Sequence, residues 1–468
     1  MKSLIKKIIP KNLLALYHKF LAVAAKVYYD NPSGKIVVIG VTGTNGKSTT
    51  VILTAKILEE AGHKVGYTST VGFKVADKEW LNDKKMTMLG RFASQKLLRQ
   101  MVDAGCRYAV IETSSEGIKQ YRHWGINYDI AVFTNLTPEH IESHGGFENY
   151  KKAKQAIFAK LQKDKCKNYP DIFNSRVDEA SGNQSSESEF ARDKKIPKVI
   201  IANIDDDYCD DFISFWSDKK YVFGLGDIES HNYNAQPSSL RLVAANEIKF
   251  RPDGVSFSVD EVDFSLNLFG RFNVYNALAA ITVAMSQGVP LATCRLALEK
   301  IKGIPGRMEF INEGQNFKVL IDYAPEPAGL KQLYQTIKDH KISEGRIIQV
   351  LGSCGGGRDV ARRPILGELA AGNAHLVIIT NEDPYDDDPQ KIIDQVAEGA
   401  IKTGKILEEN LFKILDRREA INKALALAQA GDLVLLTGKG SEQAICIADG
   451  KKIPWDERKV VRELLLKL

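Results

Sequence analysis

The stretch GVTGTNGKSTT, residues 40 to 50, constrains this chain more than any other. It has the glycines, lysine and hydroxyls of a phosphate-binding loop, but not the commonest spacing. The pattern G-x-x-x-x-G-K-[ST] would need glycine at Val41, whereas Gly40 and Gly43 precede Gly46, Lys47 and Ser48 here. The preceding run, KIVVIG, is β-branched and ends in glycine; the following run, KSTTVILTAKILEEAG, has helical apolar spacing. Between a strand and a helix, the backbone N–H groups of Gly43, Thr44, Asn45, Gly46, Lys47 and Ser48 can wrap a phosphate, and the helix N-terminus adds positive potential. Lys47 then reaches the terminal phosphates and the Ser48 hydroxyl holds Mg²⁺. The competing reading, a glycine turn with an exposed lysine, does not account for this strand–loop–helix setting.

At 468 residues the chain is too long for one core and divides into roughly two to four domains. A formal charge of +5 is small for this length, and no RRM, zinc-finger or helix-turn-helix signature occurs, so no nucleic-acid partner follows. Cys106, Cys166, Cys209, Cys294, Cys354 and Cys446 are scattered, with no C-x-x-C and no metal-ligand spacing, as reduced cytoplasmic thiols would be.

The pattern is α/β. YAVIE (residues 108–112) and IAVFTN (130–135) are buried-strand runs ending in polar residues, as in a mostly parallel sheet that gathers ligands at its strand ends. Residues 36–303 read as a central phosphate-loop domain, with a polar loop insertion at about 162–197 and a hairpin around Pro252, Asp253 and Gly254. KGIPGRM is a linker. Beyond it, KVLIDYA, RIIQVLG, AHLVIIT and DLVLLTG alternate with helical patterns, giving a second, Rossmann-like α/β domain over 304–468.

Residues 1–35 are basic and apolar but lack a signal-peptide pattern, and Lys19 and Lys26 interrupt any run of about 20 uncharged residues that would span a bilayer. Leu13, Leu16, Tyr17, Phe20, Ala24 and Val27 fall on one helical face, with Lys2, Lys6 and Lys7 upstream. Two readings stay open. Either residues 1–28 dock on the inner membrane face of a cytoplasmic protein, or the stripe packs on the protein's own core, the commoner use of such a helix.

TGTNGKSTT, ETSSEGIKQYR, TNLTPEHIESHGGFENYKKAK, GRFNVYNALAA, GIPGRME, DYAPEP, GGGRDVARRP and GKGSEQ occur in this order, and together they resemble the Mur ligase family. The longer glycine spacing is the family's own. The resemblance implies an ATP- and Mg²⁺-dependent ligase that joins an amino acid to the carboxylate of a muramyl-peptide precursor of peptidoglycan, nearest to members that add the third peptide residue. It assigns Lys47, Glu112, His140 and Lys154 to catalysis, with Ser48, Glu112, His140 and Lys154, as a carbamate, around metal. Lys154 cannot be chosen over Lys151 and Lys152 on spacing alone. The resemblance further implies that Gly43 to Thr49, Asn273, Asn276, Arg307 and Asp322 hold ATP. Thr87, Ser114, Ser115, Gln120 and Arg122 would contact the muramyl peptide, and Arg358, Asp383 and Glu442 the incoming amino acid. Other readings are a ligase of the same fold for a polyglutamate, cyanophycin-type or folate carboxylate, and, in another class, a regulatory ATPase.

Three departures bear on substrate. The D-N-P-R motif of members that add meso-diaminopimelate reads EDPY here, and Tyr385 cannot form the bidentate pair of an arginine with a carboxylate. That favours lysine or another amino acid. DYAH reads DYAP. Finally, about 39 residues precede the loop, fewer than the roughly 50 of a small domain. A separate UDP-binding domain is therefore not expected there, and the acceptor is either UDP-linked with weakened recognition or carried on a different handle, such as a lipid.

Overall fold

The computed structural model describes residues 11–139, 141–168, 195–226, 240–358 and 360–468. Its first sheet is built from β1 (Val37–Thr42), β2 (Val65–Thr68), β3 (Gly72–Val75), β4 (Lys78–Leu81), β5 (Tyr108–Glu112), β6 (Ile130–Phe133), β7 (Val199–Asn203), β8 (Lys219–Leu225), β9 (Leu240–Arg251), β10 (Gly254–Val259) and β11 (Val262–Leu266). The strand order is β11-β10-β9-β8-β7-β6-β1-β5-β2-β3-β4. From β9 to β2 all pairs are parallel, and antiparallel hairpins close both edges.

β1 is buried along its whole length, as a continuous apolar run in a doubly covered parallel sheet should be. Val37, Ile39 and Val41 join the core under the helices Lys47–Glu60 and Arg271–Ser286. Val38 turns to the opposite core, with Leu97, Met101, Ile157 and Phe158. β1 lies between β5 and β6: the chain runs from β1 to β2 on the β5 side, then from β5 back past β1 to β6, and this reversal opens a crevice at the C-terminal end of β1.

β12 (Glu309–Ile311), β13 (Lys318–Ile321), β14 (Ile347–Leu351), β15 (Leu376–Thr380), β16 (Leu411–Ile414) and β17 (Leu433–Leu436) form a second sheet in the order β12-β13-β17-β14-β15-β16. Only β12 runs antiparallel. A buried ion pair fixes the final helix, Glu457–Leu465: Arg417 Nε donates to Glu457 Oε2 at 2.9 Å, and its Nη2 donates to Thr437 O at 2.7 Å.

The polar stretch read as an insertion begins inside the Phe147–Lys163 helix, and its residues 169–194 lie outside the described residues. The chain on either side of them comes together. Asn168 bridges Lys195, and Ile196 N donates to Lys167 O at 2.8 Å. Lys167 and Lys198 both pair with Asp129, which is fully buried and also accepts from Val38 N at 2.9 Å.

The N-terminal helix, Lys11–Tyr28, does not bury the stripe expected of a core helix. It packs on the Arg91–Asp103 helix, its Ala22 and Ala25 are buried, and an added Cβ on Gly125 would lie 2.7 Å from Ala22 O. Leu13, Leu16, Tyr17, Phe20 and Val27 are exposed. No helix among the described residues is long and apolar enough to cross a membrane.

Asp129→Ala leaves two lysines buried without their carboxylate and should cost about 3–5 kcal/mol in urea unfolding. A loss of about 1 kcal/mol or less, the size of an exposed pair, would contradict this.

Candidate active site

The phosphate loop leaves β1 and is tied to the end of β6. Asn45 N donates to Asn135 Oδ1 at 2.8 Å, and Asn135 Nδ2 donates back to Asn45 O at 3.1 Å. Thr134 Oγ1 donates to Asn45 O at 2.8 Å, and Thr44 N to Asn135 O at 2.8 Å. These bonds occupy the residues between Gly43 and Gly46 and account for the longer spacing. Both glycines are required by close approach: an added Cβ would lie 1.9 Å from Thr134 Oγ1 at Gly43 and 2.1 Å from Asn276 Oδ1 at Gly46, where φ is +81°. The Lys47–Glu60 helix then starts with its unsatisfied N–H groups toward the crevice. Lys47 Nζ rests on Thr44 O at 2.6 Å, while Ser48 and Thr49 are buried beside it.

The register that pairs Val41 with Glu112 sets this carboxylate level with the loop. Glu112 Oε2 accepts from Ser48 Oγ and Thr70 N, both at 2.7 Å, and Oε1 accepts from Thr70 Oγ1 at 3.0 Å. Thr70 Oγ1 lies 2.8 Å from the Thr87 hydroxyl. Two oxygen donors at the head of a phosphate loop suit a hard divalent cation. His140 lies outside the described residues.

Lys154 is not the exposed helix lysine that spacing allows. It is 2% exposed, donates to Gly43 O, and lies 4.4 Å from the centre of the Tyr150 ring. Burial, and next the positive charge of Lys47, push its pKa well below the usual lysine range. The neutral amine is the form that takes up CO₂, so burial supplies what a carbamate requires and what spacing could not reveal.

A cavity of about 550 Å³ joins this crevice to the strand ends of the second sheet. Arg307 and Asp322 line it; Asp322 accepts from Met308 N at 2.8 Å and Ala324 N at 2.9 Å, and Arg307 lies 4.4 Å from the centre of the Tyr323 ring. Asn273 and Asn276 also line it, but Asn276 Nδ2 donates to Asn273 Oδ1 at 2.9 Å and Asn273 Nδ2 to Phe269 O at 2.8 Å. Asn276 Oδ1 also accepts from Thr50 Oγ1 at 3.5 Å, which ties the pair to the Lys47–Glu60 helix. The DYAP segment contributes Tyr323, Ala324, Pro325 and Glu326, the last paired with Arg362.

Ser114, Ser115, Gln120, Arg122 and Thr87 gather on one wall. Ser114 Oγ caps the next helix from Gly117 N at 3.2 Å, and Arg122 Nη2 donates to Gln120 Oε1 at 2.7 Å. At the opposite end Arg358 and Tyr385 line the cavity. Asp383 and Glu442, expected to face an incoming amino acid, do not stand open: Lys439 Nζ lies 3.0 Å from each, and Lys85 pairs with both. Sequence reasoning missed Asn135, Thr70 and Lys85. Asn135 stood inside the quoted TNLTPEH motif, whereas nothing in DKKMTM singles out Lys85.

The family model described as Mur ligase middle domain matches residues 41–190 and 184–284, and that described as Mur ligase, glutamate ligase domain matches 306–440. The chain is 38% identical over 454 residues to a UDP-N-acetylmuramyl-tripeptide synthetase of Roseiflexus sp. (strain RS-1), covering 96% of this chain and 82% of that protein. It is 34% identical over 456 residues to a UDP-N-acetylmuramoyl-L-alanyl-D-glutamate–2,6-diaminopimelate ligase of Clostridium tetani (strain Massachusetts / E88), covering 96% and 82%. A solved structure of a ligase of that second name aligns with a TM-score of 0.55 at 27% identity, over 92% of this chain and 78% of that one.

Gly46→Ala should weaken ADP binding by more than about tenfold, some 1.4 kcal/mol, in calorimetric titration. Gly62→Ala provides the control, because φ there is +85° with nothing within 4 Å of the added Cβ. Equal affinities in the two variants would show that neither the approach of Asn276 nor the left-handed backbone at Gly46 matters to the loop.

Proposed function

The chain belongs to the Mur ligase family, and on that premise we propose that it adds an amino acid to the terminal carboxylate of a muramyl peptide. It is an ATP-dependent, ADP-forming ligase. The observation that carries the acceptor and site reading is the single cavity that the phosphate loop of one sheet shares with Arg358 and Tyr385 of the other.

A carboxylate is a poor electrophile. Its oxygen therefore first takes the terminal phosphoryl group of ATP, releasing ADP and leaving an acyl phosphate. The amine then attacks the acyl carbon, and the tetrahedral intermediate expels phosphate carrying one former carboxylate oxygen, while the amine loses its proton. Both steps move negative charge, so positioning and electrostatics carry the catalysis. Lys47 meets the transferring phosphoryl group. Ser48, Glu112, His140 and a carbamate on Lys154 would hold Mg²⁺, which when bound would neutralise phosphoryl charge. Arg307 and Asp322 hold the nucleotide beside Asn273 and Asn276. Thr87, Ser114, Ser115, Gln120 and Arg122 position the muramyl peptide, and Arg358 the carboxylate of the amino acid. We read residues 36–303 and 304–468 as the two domains that close on these substrates.

An ATP-consuming reaction fits a cytoplasmic enzyme. The exposed face of Leu13, Leu16, Tyr17, Phe20 and Val27, with Lys2, Lys6 and Lys7 upstream in sequence, suits an anionic lipid surface that would bring the enzyme to a lipid-linked acceptor. The full chain should float with anionic liposomes, and a form lacking residues 1–28 should not; flotation of neither removes the membrane from the account.

ADP release should require an acceptor and an amino acid together, and Lys47→Ala should lower it by far more than tenfold, about 1.4 kcal/mol of barrier. Hydrolysis of ATP without either substrate would instead support a regulatory ATPase. Lys154→Ala should be severely impaired and partly restored by acetate or formate; a wild-type rate for that variant in CO₂-free buffer removes the carbamate.

A further inference from the structure

The amino-acid end of the cavity contains a cation for which the ligase chemistry has no use. Lys85 follows β4 in a loop of the first sheet, its backbone in the left-handed region at φ +56° and its side chain 3% exposed. Its Nζ lies 2.7 Å from Asp383 Oδ2 and pairs also with Glu442 Oε2. With Lys439 on the other side, two carboxylates meet two ammonium groups and the set is neutral.

The loop is braced to deliver this lysine. Asn82 Nδ2 donates to Ser69 O at 2.9 Å and Met86 O at 3.0 Å, and its Oδ1 accepts from Lys84 N at 2.9 Å. Lys452, beyond the second sheet, donates to Lys84 O at 3.0 Å. A left-handed backbone is unfavourable at a residue other than glycine, and such placements persist where surrounding contacts impose them.

We propose that Lys85 is a specificity-determining residue whose ammonium occupies the place between Asp383 and Glu442 that the distal amino group of a diamino acid would take, so that the enzyme selects a monoamino acid. This deepens, and rests on, the ligase reading above. A second ammonium arriving there gives up its hydration and finds no carboxylate left unneutralised. Burial alone would lower the pKa of Lys85, but Glu442 and Asp383 outweigh it and raise that pKa, so the cation stays in place. Arg358 remains at the cavity wall for the substrate's carboxylate, and Tyr385 stands beside it in place of a second cation.

Calorimetric titration of L-lysine and L-alanine into the full chain, with a non-hydrolysable ATP analogue present, tests this. Lys85→Gln and Lys85→Asn, the latter tolerant of left-handed backbone, should bind lysine at least about tenfold tighter than the unmodified protein, some 1.4 kcal/mol, with alanine affinity unchanged. Lys85→Arg retains the charge and should still exclude lysine, and thermal unfolding checks that each variant is folded. Lysine affinity equal in the unmodified protein and the folded neutral variants overturns the proposal, as does undetectable lysine binding in all of them. Failure of the ligase reading looks different: no amino acid would stimulate ADP release, while lysine binding would still respond to the substitutions.

Discussion

The reciprocal bonds between Asn45 and Asn135 are the contact on which the rest of the site depends. They lock a loop leaving β1 to the end of its neighbour β6, and so fix where the Lys47–Glu60 helix begins. With the loop fixed, the β1–β5 register sets Glu112 against Ser48, and the helix after β6 brings Lys154 to Gly43 O. Three strand ends converge because β1 is flanked by β5 and β6. An insertion or deletion in the loop would break all of these relations together.

The second sheet adds what the first lacks. Its strand ends carry a dense set of charges: Arg358, the Glu326–Arg362 pair, and the carboxylates Asp383 and Glu442 with Lys439. Charges this deeply buried are tolerated only when paired, and here one of the pairing groups, Lys85, crosses from the other sheet. The same interaction therefore ties the two sheets together and shapes the pocket. Substrate choice and domain contact are linked through one side chain.

Much of this was legible in the sequence. The strand–loop–helix signal at residues 35–62 and the alternation of β-branched runs with helical patterns reflect local periodicity, and the fold follows them. Glu112 was legible through the resemblance, together with its place at a strand end, where parallel sheets gather ligands. Lys154 stood among three lysines that spacing does not separate; the resemblance selected it, and in the structure it is buried against Tyr150 and Gly43 O whereas Lys151 pairs with Asp211 near the surface. Lys85 was invisible because its partners lie roughly 300 residues or more away. The apolar stripe of the first helix was legible as a stripe, but which face packs was not: Ala22 and Ala25 are the buried residues, and Gly125, lacking a Cβ, lets the Ala22 carbonyl come close.

The central claim is that a carboxylate is activated as an acyl phosphate in this cavity. It is tested most directly by carrying out the reaction with an acceptor labelled with oxygen-18 in its terminal carboxylate and analysing the released phosphate by mass spectrometry. The account predicts that each phosphate released during amide formation carries one labelled oxygen. Unlabelled phosphate, with both labels retained in the acceptor or its product, would contradict it.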